Sequence, residues 1–177
     1  MATTNWALDP THSEVNFKVK HLMITNVTGG FTDYSITAST DSDDFSNANI
    51  SFTAKAASVN TGNEQRDAHL KGADFFDAEN FPELSFKATS YKATDDAGNY
   101  ELNGDLTIKN VTKPIKLSVE FGGIAKDPWG NAKAGFTISG KINRKDWGLN
   151  WNAALEAGGV LVSDEVKINC EIQLLKQ

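Results

Sequence analysis

Apolar and polar residues alternate along most of this chain. Val15, Phe17, Val19 and His21 interleave with Glu14, Asn16, Lys18 and Lys20, the period of two expected of a strand with one buried face. The same period returns over Phe31–Ala38, then at Ala48, Ile50, Phe52 and Ala54, at Leu84, Phe86 and Ala88, and at Tyr100, Leu102, Gly104, Leu106 and Ile108. It recurs at Ile115, Leu117, Val119 and Phe121, at Ala134, Phe136, Ile138, Gly140 and Ile142, and at Val166, Ile168, Cys170, Ile172 and Leu174. The pattern therefore predicts eight strands. Asp95–Asn99 reads as a hairpin loop and Asn110–Pro114 as another, while Gly122-Gly123 and Asp127–Asn131 bracket a longer connection.

Two segments break the alternation. Thr61-Gly62-Asn63-Glu64 has the form of a capping box, which predicts a short helix over about residues 62–71, ending near a left-handed cap at Gly72. Asp74–Pro82 then sets Phe75, Phe76 and Phe81 beside a proline, more aromatic surface than a loop leaves in water.

Eight amphipathic strands must hide their apolar faces between two sheets or inside a closed barrel. Sequential hairpins and long strands favour the barrel, because closure removes exposed edges. The fold class is thus all-β, an eight-stranded antiparallel barrel with one short helix. At this size the interior is either filled by side chains or has room for one small ligand. Ala48, Ala54, Ala56, Ala88, Gly104, Ala134 and Gly140 interrupt the large inward residues; they either thin the lining or fit the taper of a filled barrel.

Composition narrows the partners. A chain of 177 residues with 40% hydrophobic content reads as one domain spanning 1–177. Seventeen basic against twenty-three acidic residues leave −6 with no basic cluster, which argues against nucleic acid. No run approaches the roughly 18 apolar residues of a membrane span, so no membrane insertion is expected. The start of the chain has neither a basic nor a long apolar stretch, so the expected compartment is the cytoplasm, or the periplasm if a signal segment has been removed.

Candidate chemistry is sparse. His12, His21 and His69 lack metal-motif spacing, and Asp41-Ser42-Asp43-Asp44 lacks the glycine and distal glutamate of a calcium loop and reads as a solvated turn. His12-Ser13-Glu14 has the residue types of a triad without a nucleophile elbow; Ser13 is expected to cap the turn before the first long strand. No cofactor, metal or catalytic residue is expected. Trp147 and Trp151, around Gly148, read as a bulged strand edge that lines or plugs the interior.

Strand parity supplies an inner lining of Val15, Phe17, Val19, Phe31, Phe52, Leu84, Phe86, Leu106, Ile108, Leu117, Val119, Phe136 and Ile138, joined by Trp151. At the strand ends, His21, Arg144 and Asp146 continue the inward sets, and Arg66 and His69 share a face of the short helix, so all five are candidates to meet a head group. Each has a structural alternative. Arg144 and Asp146 form a lock with one another or with the helix, since buried charges are normally paired, and Arg66 with Asp67 ties the helix to strand ends.

Long blocks of this chain resemble the YceI-like family. They are Trp6–Met23, Arg66-Asp67-Ala68-His69-Leu70-Lys71 with Asp74-Phe75-Phe76-Asp77, Gly104–Pro114, and Arg144-Lys145-Asp146-Trp147-Gly148-Leu149. The resemblance implies an extended, lipocalin-like eight-stranded barrel. It implies that the partner is a long-chain isoprenoid or fatty amphiphile held in the tunnel, such as a polyprenyl compound, an isoprenoid quinone or a fatty amide. It is also compatible with a homodimer and, for many members, with secretion to the periplasm. Two other classes stay open: an enzyme acting on an amphiphile, with His21 or His69 as base and Arg144 holding an anion, and a stress-related barrel with a filled core.

Overall fold

The computed structural model describes residues 3–41, 45, 48–152 and 161–177. Asp43 and Asp44 of the expected solvated turn lie outside them. In chain order the strands are β1 (Thr4–Leu8), β2 (Glu14–His21), β3 (Thr25–Phe31), β4 (Tyr34–Thr40), β5 (Asn49–Lys55) and β6 (Val59–Asn60). After the helix α1 (Glu64–Lys71) come β7 (Glu83–Ala93), β8 (Asn99–Ile108), β9 (Val111–Lys126), β10 (Ala132–Asn143) and β11 (Val162–Lys176). Short 3₁₀ turns occupy Pro10–His12, Ala56–Ser58 and Arg144–Trp147.

The first six strands are halves of three long, kinked staves. β1 and β2 both run along β11, through Leu8↔Leu174 and Glu14↔Glu171. β4 and β3 run along that stave, through Trp6↔Ala38 and Val15↔Phe31, and β5 and β6 follow as the third. With β7 to β11 the ring has eight antiparallel staves and closes on itself where β1 meets β11. The predicted strand over Phe31–Ala38 is interrupted at Thr32-Asp33, and the stave begins earlier, at Thr25. Thr25–Gly30 gave no apolar signal beyond Val27.

The kink between β1 and β2 is laced to its neighbours. Pro10 starts the 3₁₀ turn, and Asp9 rather than Ser13 caps it, accepting from the Thr11 backbone N–H at 3.2 Å. Ser13 works across the stave: its hydroxyl accepts from the Gln173 N–H at 2.9 Å, where the ladder is interrupted. Asp9 also accepts from Lys133 Nζ at 2.7 Å and lies 2.9 Å from His12 Nδ1. The lysine holds the Asp9 carboxyl well below its free value of 3.8. A carboxyl with a depressed folded pKa stabilises fully above its unfolded pKa, and that contribution is lost as pH falls through the folded value. The urea midpoint of the native protein is therefore expected to exceed that of Asp9→Asn at pH 7, the gap closing progressively below about pH 4. A gap that is constant with pH contradicts this.

Three local expectations are corrected. The β8–β9 turn is only Lys109-Asn110, both left-handed (φ 53° and 61°), and the strand resumes at Val111, so Pro114 lies inside β9 opposite Asp105. That part of β9 pairs with β8 alone, and a one-sided strand tolerates a residue without an N–H. Gly122-Gly123 does not open a connection: β9 continues through it to Lys126, with a bulge where Phe136 pairs with Phe121 and Gly135 with Gly123. The helix starts at Glu64, capped by Asn63, whose side chain accepts from the Arg66 N–H; its Gly72 cap is extended (φ −81°, ψ 179°) rather than left-handed.

Candidate ligand-binding site

The barrel is hollow. Its interior holds a cavity of about 610 Å³, within the range of sites that enclose a small organic ligand. Val15, Phe17, Val19, Phe31, Phe52, Leu84, Phe86, Leu106, Ile108, Leu117, Val119, Phe136, Ile138 and Trp151 all stand on its wall. Strand parity also points to Leu102, Ile115, Ile142, Ile168 and Ile172, which line it too. Cys170 joins them, and burial pushes its thiol up to about 12, so it is a neutral apolar wall group.

The small residues do not make the hollow. None of the expected alanines and glycines touches the cavity. The two glycines make room for neighbouring side chains: a Cβ on Gly104 would sit 2.4 Å from Phe86 Cζ, and one on Gly140 would sit 2.4 Å from Leu117 Cδ2. The large residues lean over these glycines, and that leaves the axis of the barrel open.

One end of the cavity abuts an aromatic plug. The Phe45 ring lies 5.0 Å from that of Trp6 and 5.1 Å from that of Phe136. At the other end, α1 and the loop after it lie across the opening, with Leu70, Phe75 and Phe76 on the wall. The His69 ring is edge-on to Phe75 and Trp151, at 5.0 and 4.7 Å. Phe75 and Phe76 of the Asp74–Pro82 aromatic run thus turn to the cavity and away from water.

His21, Arg66, His69 and Arg144 also border the cavity, and hydrogen bonds within the protein hold Arg66, His69 and Arg144. Arg66 donates to the hydroxyl and carbonyl of Thr61 at 2.6 and 2.7 Å, and Thr61 donates to Asp67, so the helix is tied to the end of β6. His69 Nε2 lies 2.9 Å from Asp74 Oδ2. Arg144, only 3% exposed, binds the backbone carbonyls of Leu149, Trp151, Val162 and Ser163, with Asp164 as its carboxylate at 3.8 Å.

Asp146 departs from expectation: it is exposed, lies off the cavity and is not the partner of Arg144. The reason is a change of period. β10 ends at Asn143, and in the following 3₁₀ turn residues three apart share a face, so Arg144 and Trp147 point inward and Asp146 outward. Trp147 is therefore in a turn and not on a bulged edge, and its indole N–H donates to the Leu106 carbonyl at 2.9 Å.

The family model for the YceI-like domain matches residues 6–174. The chain belongs to the YceI-like family. A UPF0312 protein of Staphylococcus aureus (strain N315) is 38% identical over 171 residues, 96% of each chain. The crystal structure of a Campylobacter jejuni YceI protein shares 37% identity over 96% of both chains, with a TM-score of 0.75. A polyisoprenoid binding domain from Saccharophagus degradans, implicated in plant cell wall breakdown, has the same fold at 14% identity, with a TM-score of 0.67 over 97% of this YceI-like chain and 98% of its own.

Proposed function

We propose that this YceI-like barrel is a binding protein for a long-chain isoprenoid or similar amphiphile, whose tail occupies the tunnel. The observation that carries the proposal is the cavity of about 610 Å³ with an almost wholly apolar wall, unbroken from α1 to the aromatic plug. The fold shared with the polyisoprenoid binding domain of Saccharophagus degradans supports it. Each buried methylene contributes ~0.8 kcal/mol, so about ten contribute ~8 kcal/mol before the costs of association. The engagement of His69 and Arg144 with protein partners favours holding a ligand over transforming one.

The test is Cys170→Phe. The thiol faces the tunnel from the middle of β11, so the ring fills space that a tail would use. The variant is expected to fold with little loss of stability and to bind a fluorescent long-chain fatty probe at least tenfold more weakly. A filled core would respond the other way, losing about 1–3 kcal/mol from overpacking. Native mass spectra of the unsubstituted protein should show an extractable adduct of several hundred daltons. A clean apo mass together with no uptake of the probe would sink the proposal.

A further inference from the structure

We propose that the Tyr91 hydroxyl is a specificity determinant at the plugged end of the tunnel, donating a hydrogen bond to a neutral carbonyl oxygen carried by the ligand. The inference rests on the lipid-binding reading and adds the polar chemistry and polarity of the bound chain.

Tyr91 is 4% exposed and stands on the cavity wall. Its hydroxyl oxygen has no hydrogen-bond partner among the described residues and no accessible surface of its own, so a ligand oxygen meets it by displacing the wall side chains that cover it. Leaving a buried polar group unpaired costs about 1–3 kcal/mol, and phenylalanine would fill the same space without that cost. The ring is held firmly: it stacks on Tyr100 at 4.5 Å and 7°.

The backbone aims this side chain deliberately. Leu84, Phe86 and Ala88 set the inward parity of β7, by which residue 91 would face outward. A bulge between Ala88 and Ser90 shifts the register against β8, so that Tyr91 pairs with Leu102 and turns into the barrel. Bulges re-aim side chains in this way beside binding sites.

The surroundings define the partner. The rings of Phe45 and Phe136 share this end of the wall, and no charged side chain lines the cavity among the β7 and β8 residues there. An anion such as a phosphate would be desolvated without a counter-charge, whereas a ketone, quinone or amide carbonyl needs one donor and no charge. The burial that raises the pKa of Tyr91 keeps it protonated and a donor. At the opposite end, Arg66 is tied to Thr61 and His69 Nε2 to Asp74, while Lys20, His21 and Gln65 also border the cavity and suit the aqueous mouth. With its carbonyl at Tyr91, the ligand runs its hydrocarbon chain back toward α1.

The experiment compares the native protein with Tyr91→Phe by displacement of a fluorescent long-chain fatty probe. The competitors are geranylgeranylacetone, a polyprenyl ketone, and the hydrocarbon of equal length. The expected result is that native protein prefers the ketone and that Tyr91→Phe reduces this preference about tenfold while leaving hydrocarbon affinity unchanged. The infrared stretch of a ¹³C-labelled ketone carbonyl should be lowered by hydrogen bonding in the native complex and released in the variant. Unliganded Tyr91→Phe should melt at or above the native temperature, because an unpaired hydroxyl has been removed.

An unchanged preference and carbonyl stretch overturns the role of Tyr91 while the lipid-binding reading stands. So does a variant that melts well below the native protein, since the hydroxyl then has a structural partner. Failure of both competitors to displace the probe from native protein, with no uptake of either, overturns the lipid-binding reading as well.

Discussion

Arg144→Lys is expected to lower the free energy of unfolding by about 3 kcal/mol, and Arg144→Ala by about 3–5 kcal/mol, measured by urea denaturation. The guanidinium is a hub for four backbone carbonyls: its Nε reaches Ser163 at 2.9 Å, and its terminal nitrogens reach Leu149, Trp151 and Val162 at 2.5, 2.9 and 3.4 Å. Those carbonyls belong to the segments on either side of residues 153–160. Hydrogen bonds to charged donors each contribute about 1.5–3 kcal/mol, and they are not additive here because they share one group. Lysine has a point charge where a planar fork is needed, so it satisfies only part of the set. Because Leu149, Trp151 and Val162 also line the tunnel, the variant should release bound probe faster. A head-group role predicts instead a change in ligand preference at unchanged stability; an enzyme predicts loss of turnover. The engaged guanidinium favours the loss of stability.

Trp6→Ala should be comparably costly, about 3–5 kcal/mol, the range for truncating a buried aromatic. Trp6 is 2% exposed, packs on Phe45 and donates its indole N–H to Thr40 Oγ1 at 3.1 Å. It also sits in the five-residue β1, which is paired with β4 on one side and β11 on the other. Loss of its ring therefore loosens the plug and the seam together. Trp6→Phe, which keeps most of the packing, should recover more than half of the loss. Equal losses for both substitutions would show that the Thr40 hydrogen bond outweighs the packing.

The alternation in sequence was sufficient to find the staves and the tunnel wall because the period of a strand is fixed by the pleat. It failed where a strand carries few apolar residues, as over Thr25–Gly30, and where the backbone changes period. Asp146 was misplaced because a 3₁₀ turn begins at Arg144, and Tyr91 was missed because a bulge lies between it and Ala88. Neither event leaves a mark in the apolar pattern. Small residues misled for a different reason: a glycine opposite a large side chain and a glycine facing a void look the same in sequence, and only the position of the Phe86 ring over Gly104 tells them apart. The partners of Arg144 were equally hidden, since backbone carbonyls carry no sequence signature.

The seam between β1 and β11 has a consequence for how the molecule comes into being. Leu8 pairs with Leu174, so the contact that closes the ring joins positions near opposite ends of the sequence. Loop-closure entropy makes such contacts slow to form, and until β11 is in place both β10 and β2 present bare edges beside an uncovered apolar face. A nascent or refolding chain is thus most prone to aggregate just before completion. Chaperone engagement, if the cell supplies any, is expected at that stage.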